Sequence, residues 1–317
     1  MTLGLGVGLG LEALVYWLIG RAGILAHPNE RSSHTRPTPT MGGVVIVIIM
    51  LAFCAHVAQA EASLGWGLFA PLAAVGLVGL WDDLTGLPAR LRLVVYTAAA
   101  AGALAWVLPA LPAWVYAAGV VALVWFVNLY NFMDGIDGYA ASQALVFCVG
   151  AQLVAGGVPG WSGEALWLLA GASLAFLIFN WPPARIFMGD VGSASLGLLI
   201  GVLAAYLAMA EHLPLVASLI LLAGFWFDAS YTLCVRMFTG QAFTQAHRLH
   251  LYQRLAHRQG HLWTTLAFLG YSGLVLVPLA WWATHAPEFR LLALFLSVAP
   301  LALASWRWRA GLVTEAS

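Results

Sequence analysis

Residues 192–210 read GSASLGLLIGVLAAYLAMA, without one charged side chain. A bilayer core about 30 Å thick takes about 20 apolar residues as helix, so this stretch is long enough to cross it. Outward from it lie ten more such runs: 3–20, 43–60, 66–81, 93–110, 113–130, 139–156, 164–180, 213–235, 262–283 and 290–306. Spans of that length use roughly 220 residues, and the chain has 317. No room is left for a separate soluble domain. The reading is all-α: a polytopic integral membrane protein of about 11 transmembrane helices, one domain over 1–317, with its chemistry on short loops and helix ends.

Composition agrees. Hydrophobic residues make up 62% of the chain and charged residues 8%, against ~25% charged in a soluble domain. That excludes a water-soluble globule, a disordered chain and a basic nucleic-acid binder, so no nucleic-acid partner is expected. The 13 basic residues are all arginine and cancel 13 acids. Cys54, Cys148 and Cys234 lie inside apolar runs, show no metal or disulfide spacing, and read as small core residues.

Arginine placement gives the orientation. The odd connections 21–42, 82–92, 131–138, 181–191 and 236–261, with the C-terminal tail, hold twelve of the 13 arginines; Arg290 alone falls on an even one. By the positive-inside rule that side is cytoplasmic, which puts the N-terminus outside, in the periplasm, and the C-terminus inside. Asp82, Asp83, Asp134, Asp137 and Asp190 fall on the same side. Carboxylates beside apolar helices are costly and usually functional.

Five motifs carry the chemistry. In the first connection Arg31, Ser32, Ser33 and His34 stand among prolines, before Gly42-Gly43, and offer many donors to an anionic group. The second opens Trp81-Asp82-Asp83. Adjacent carboxylates repel each other, and a divalent cation or a nearby arginine such as Arg90 or Arg92 would relieve this. The third is Asn128-Leu-Tyr-Asn131-Phe-Met-Asp134-Gly-Ile-Asp137-Gly138. Asn128, Asn131 and Asp134 share a helix face at i, i+3 spacing, and hard oxygen ligands at this density suit magnesium. In the fourth, Asn180-Trp-Pro-Pro-Ala-Arg-Ile-Phe187-Met-Gly-Asp190-Val-Gly-Ser, Asp190 opens a helix whose free N–H groups favour phosphate; alone, it reads better as an N-cap, and with the third motif beside it as a metal ligand. The fifth, His247-Arg248-Leu-His250-Leu-Tyr-Gln-Arg254, pairs two histidines with arginines. The arginines would repel a cation, so phosphate or sugar contact fits better; an interfacial amphipathic helix is the other reading. Asp228, inside the ninth run, stays open between a functional acid and a buried interhelical hydrogen bonder.

Together PNERSSHTRPTPTMGG, WDD, NLYNFMDGIDG, NWPPARIFMGDVGS and HRLHLYQR resemble the polyprenyl-phosphate N-acetylhexosamine-1-phosphate transferase superfamily, glycosyltransferase family 4. The translocase branch's His-His-His run is absent, and the set looks most like the O-antigen-initiating branch. The resemblance implies a bacterial inner-membrane enzyme with its active site facing the cytoplasm. Its polyprenyl (undecaprenyl) phosphate attacks the β-phosphate of a UDP-N-acetylhexosamine and releases UMP. The implied cofactor is Mg2+, with Mn2+ as substitute, held by Asp190 and Asn131. Asp82 and Asp83, catalytic with Asp190, would position or deprotonate the lipid phosphate or assist the metal. Asp137 and Phe187 would take uracil, with Asn128, Asp134 and Asn180 alongside. His247, Arg248 and His250 would contact the diphosphate or sugar, and Arg31, Ser32, Ser33 and His34 are phosphate-binding candidates. Direct attack is favoured over a covalent intermediate, because a phosphate monoester with its second pKa ~6 is already ionised at neutral pH. The translocase branch also suggests a homodimer.

Two rivals remain. CDP-alcohol phosphotransferases carry D-G-x-x-A-R, and DGIDGYA has no following arginine. A secondary transporter would use its acids for ion coupling, but such sites lie near the midplane, and these acids sit at helix ends.

Overall fold

The computed structural model describes residues 1–26, 37–241 and 247–313. Thirteen α-helices follow in order among these residues: α1 (Thr2–Ala22), α2 (Val44–Ala60), α3 (Ala62–Thr85), α4 (Ala89–Val107), α5 (Ala113–Met133), α6 (Tyr139–Val154), α7 (Gly160–Asn180), α8 (Gly189–Met209), α9 (Leu215–Leu221), α10 (Ala223–Phe238), α11 (Leu251–Tyr271), α12 (Val277–His285) and α13 (Arg290–Arg307). Each of the eleven apolar runs has a helix or helix pair as its counterpart. Eight helical segments are long and apolar enough to cross a bilayer, and the bent pair α9–α10 makes a ninth. α2 and α6, apolar but of 17 and 16 residues, fall short of that length. The protein is an all-α polytopic membrane protein.

α8 is the axis of the bundle. Every residue from 191 to 200 is buried, and α3 and α5 pack along it. Small side chains let the backbones meet. A Cβ on Gly43, at the start of α2, would stand 2.3 Å from the Gly192 Cα, and one on Gly79 of α3 would stand 2.6 Å from the Val191 Cα. Gly42-Gly43 therefore marks a close helix crossing, the small-residue packing that membrane helices use in place of a hydrophobic drive. Outside, Phe238, Leu274 and Leu291 are largely exposed, as lipid-facing side chains are.

Four features depart from the sequence reading. The ninth run is not one straight helix: α9 and α10 meet at 78°. Trp226 Nε1 donates to the Leu219 carbonyl and Gln143 Nε2 to the Leu221 carbonyl, at 2.8 and 2.9 Å. Those bonds satisfy groups that a break inside a membrane would leave bare. The tenth run begins earlier, at Leu251, bends at Gly260 and continues through a π-helical turn, Ser272–Leu276, into α12. Cys54 and Cys148 are buried, but Cys234 is exposed on α10 and is no core residue. In α1, Glu12 is fully buried on the face shared with Gly4 and Gly8, and neither of its oxygens has a hydrogen-bond partner among the described residues.

The first connection starts and ends in a two-residue antiparallel pairing of β1 (Leu25–Ala26) with β2 (Thr38–Pro39). Arg31, Ser32, Ser33 and His34 lie outside the described residues.

Candidate active site

Helix ends far apart in sequence converge at one end of the bundle around a cavity of about 290 Å³. Its wall takes Thr40 from the first connection, Asp83 from α3, Asn131 from α5, Asp134 and Asp137 from the following turn, Asn180 from α7, Phe187 and Asp190 around the start of α8, and His261 from α11. All five motif-bearing connections thus meet here or beside it.

The backbone explains how the wall is held. After Asn180 the chain runs against the first connection: Phe187 N–H donates to the Pro39 carbonyl at 2.8 Å, and Gly42 and Gly43 N–H donate to the Phe187 and Met188 carbonyls, both at 2.9 Å. Gly189 then turns with φ 75°, a left-handed conformation that suits glycine, and α8 begins. No side chain of its own segment caps it. Asp83 does so from α3: its Oδ1 accepts from Asp190 N–H at 2.8 Å and its Oδ2 from Val191 N–H at 3.1 Å. A carboxylate on the first free N–H groups of a helix meets both hydrogen-bonding need and dipole.

Asp190 is accordingly not the cap, and its carboxylate is available for other work. Arg92 of α4 places one nitrogen, Nη1, 2.5 Å from Asp82 Oδ2 and 2.6 Å from Asp190 Oδ2. The arginine anticipated beside the Asp82-Asp83 pair is Arg92, and it reaches across to Asp190 as well. The second oxygen of Asp82 accepts from Leu87 N–H, so Asp82 stands beside the cavity rather than on its wall. The Asn131 amide nitrogen donates to Ser193 Oγ at 3.0 Å, which leaves its oxygen as the atom able to bind a cation.

Other predicted residues hold the wall in shape. The Asn180 side chain accepts from Gly138 N–H and donates to the Ile186 carbonyl, both at 2.8 Å, which clips the third and fourth motifs together. Asp137 Oδ2 accepts from Ala184 N–H at 3.0 Å, and Oδ1 lies 3.1 Å from His261 Nδ1. Asn128 donates to the Val124 carbonyl within its own helix and is not on the wall. Among the described residues none donates a hydrogen bond to the Asp134 carboxylate. Burial, and then the charges of Asp190, Asp83 and Asp137, push Asp134 up to about 8.

The fifth motif takes a different place. His247, Arg248 and His250 do not line the cavity. His250 is buried at the start of α11, its Nδ1 3.8 Å from Asp228 Oδ1. Asp228, on α10, accepts from Leu251 N–H at 2.8 Å and Tyr252 N–H at 3.0 Å. It is the buried interhelical bonder, capping α11 as Asp83 caps α8. Tyr252, so placed, donates to the Phe132 carbonyl at 2.9 Å and backs the turn that carries Asp134. Burial, with His250 and Arg236 nearby, lowers His247 to about 3, so it is neutral at pH 7. Sequence reading missed Thr40 and His261. The signal for His261 was slight: a histidine just after Gly260, at the edge of an apolar run.

Comparison with known proteins bears on this arrangement. Residues 65–208 match the family model of Glycosyl transferase family 4. Among similar proteins, the decaprenyl-phosphate N-acetylglucosaminephosphotransferase of Mycolicibacterium smegmatis is 31% identical over 236 residues, 62% of this chain and 58% of the relative. The phospho-N-acetylmuramoyl-pentapeptide-transferase of Thermotoga neapolitana is 33% identical over 192 residues, 52% of this chain and 59% of the relative. The namesake enzyme of Chlamydia muridarum is 44% identical over 97 residues, 29% of each chain. The chain spans about three-fifths of the length of the first two relatives. The family-4 segment carries Asp83, Asn131, Asp134, Asp137, Asn180, Phe187 and Asp190, while Thr40 and His261 close the wall from outside it.

No three acidic, histidine or cysteine side chains among the described residues converge closely enough to enclose a metal. Magnesium does not require that, because it keeps waters and is commonly held by one or two carboxylates plus substrate phosphates. The described wall has four carboxylates, Asp83, Asp134, Asp137 and Asp190, and no arginine. Such a wall suits a hard cation and would repel a bare diphosphate.

Proposed function

We propose that this protein transfers an N-acetylhexosamine 1-phosphate from a UDP-sugar to undecaprenyl phosphate. UMP is released, as the first membrane step of O-antigen or related cell-envelope polysaccharide synthesis. The observation that carries the reading is the family-4 match lying over a carboxylate-walled cavity at one end of a membrane bundle. The end that holds the cavity is taken as cytoplasmic from the arginine distribution, with the protein in a bacterial inner membrane. The three related enzymes named above are phosphosugar transferases by name, and the decaprenyl-phosphate enzyme's name specifies a lipid phosphate.

In this reading an acceptor phosphate oxygen forms a bond to the β-phosphorus of the sugar nucleotide. The bond from that phosphorus to the bridging oxygen breaks, and the electron pair leaves with UMP. Magnesium would neutralise charge between the two anions, with Asp190 and the Asn131 oxygen as its protein ligands. Asp83 fixes the first turn of α8 and so aims Asp190. Asp82 keeps Arg92 in place beside it. The Phe187 ring offers a stacking face for uracil and Asp134 a hydrogen-bonding edge, while Asn180 and Asp137 hold the loops that present them. Arg31, Ser32, Ser33, His34, His247 and Arg248 are the donors proposed for the diphosphate; His250 contributes through the helix it opens. A homodimer is proposed only by likeness to the translocase branch.

A radiolabel assay tests this. Membranes containing the protein, a panel of carbon-14-labelled UDP-N-acetylhexosamines, undecaprenyl phosphate and Mg2+ should yield labelled lipid and UMP. No lipid product with any sugar overturns the reading, and uptake into proteoliposomes without UMP release would favour a transporter.

A further inference from the structure

One nitrogen of Arg92 serves two carboxylates, Asp82 and Asp190, that are 108 positions apart in sequence number. The Arg92 and Asp190 side chains are about a quarter exposed, at 28% and 26%, so this is an accessible ion triad rather than a sealed one. The two carboxylate oxygens that share the nitrogen, 2.5 and 2.6 Å from it, are therefore at most about 5 Å apart. A divalent cation held by Asp190 would be drawn to the carboxylate that the Arg92 guanidinium already serves, and the two positive charges would repel each other. The remaining acids are committed differently. Asp83 is spent on the N–H groups of Asp190 and Val191, and the outer oxygen of Asp82 on Leu87 N–H. Asp190 Oδ2 is therefore the oxygen in contention.

We propose that Arg92 is a resident counter-cation that competes with the divalent metal for Asp190 and gives the carboxylate up when the metal binds. Such an exchange rests on the magnesium-dependent reading above. It gives the site a charge balance in both states: guanidinium holds the acids together before loading, and the released guanidinium is then available to an anionic phosphate. Arg92 is thus a positioning residue with an unusual sign, because removing it should strengthen metal binding.

The test is Mn2+ titration by electron paramagnetic resonance on the full-length purified protein, without nucleotide sugar or lipid. An arginine beside a carboxylate shifts its proton affinity by 1–3 pK units, and loss of that competition should lower the Mn2+ dissociation constant by about tenfold in R92A and R92Q. R92K should fall between these and the wild type. Equal or weaker binding in R92A and R92Q overturns the exchange. A second measurement needs no variant: phenylglyoxal labelling of Arg92 in the wild type, followed by mass spectrometry, should accelerate at saturating Mg2+. Unchanged labelling, or protection, overturns it. Because neither readout involves turnover, failure of the transferase assay with tight, Arg92-sensitive metal binding would remove the transferase reading alone. An active enzyme whose metal affinity ignores Arg92 would remove only the exchange.

Discussion

Asp83 invites a purely chemical role, since it stands on the cavity wall beside Asp190. Its geometry assigns it a mechanical one, and the two separate cleanly in Asp83→Ala and Asp83→Asn. The alanine variant loses two charge-assisted bonds, 2.8 and 3.1 Å long, to the first N–H groups of α8. Bonds to a charged group contribute about 1.5–3 kcal/mol each, and helix caps about 0.5–2 kcal/mol. Removing one negative charge from a wall of four carboxylates offsets part of the loss. The expected net cost is about 2–3 kcal/mol, or a fall of roughly 4–8 °C in the apparent unfolding temperature. Asparagine should rescue little. Its oxygen keeps one N–H, but its NH2 meets the other donor to donor. Thermal unfolding in detergent, followed by tryptophan fluorescence, measures both variants; metal titration then asks whether Asp190 has moved. If Asp83→Asn unfolds at the wild-type temperature, Asp83 does not hold α8 and the mechanical role is wrong.

Asp190→Asn should insert and fold normally but lose transfer activity at least a hundredfold in the radiolabel assay; near wild-type turnover would remove Asp190 from the metal site. Gly189→Ala should lower both stability and activity. Its φ of 75° costs an L-residue about 1–2 kcal/mol, and the new Cβ would stand 2.5 Å from Asp83 Oδ2, so an unchanged unfolding temperature would refute the turn geometry. Glu12→Leu should stabilise the bundle by about 1–3 kcal/mol, because it replaces a buried carboxyl without a hydrogen-bond partner among the described residues; destabilisation would show that Glu12 is paired in the membrane. Arg290→Ala should leave turnover within about twofold of wild type, since Arg290 bonds only the Ala283 carbonyl among the described residues and such surface changes are usually worth under ~0.5 kcal/mol. A large loss there would count against the topology.

The helices were legible because a bilayer imposes length and apolarity on each run by itself, as in 192–210. The gathering of the third and fourth motifs was legible too, because their glycines and oxygen-rich side chains have no place inside an apolar span. What a given acid does was not. Asp83 and Asp228 cap helices whose N–H groups lie 107 and 23 residues further along, and no local pattern announces such a partner. The same holds for Asn180, whose clip to Gly138 spans 42 residues. The histidines of the fifth motif look chemical in sequence because charge and imidazole are adjacent. Packing turns His250 inward against Asp228 and leaves His261, eleven positions on, to reach the wall. The break between α9 and α10 escaped because its compensating donors, Gln143 and Trp226, are set by tertiary contact.

The wall of the cavity begins at Thr40 and is completed by His261. A ribosome therefore delivers every acid of the wall before it delivers the residue that closes it. Chains emerge N-terminal end first, so a nascent protein halted after α8 would own the family-4 segment yet hold an open, unfinished trough. The wall is complete only once α11 docks and brings His261 to it.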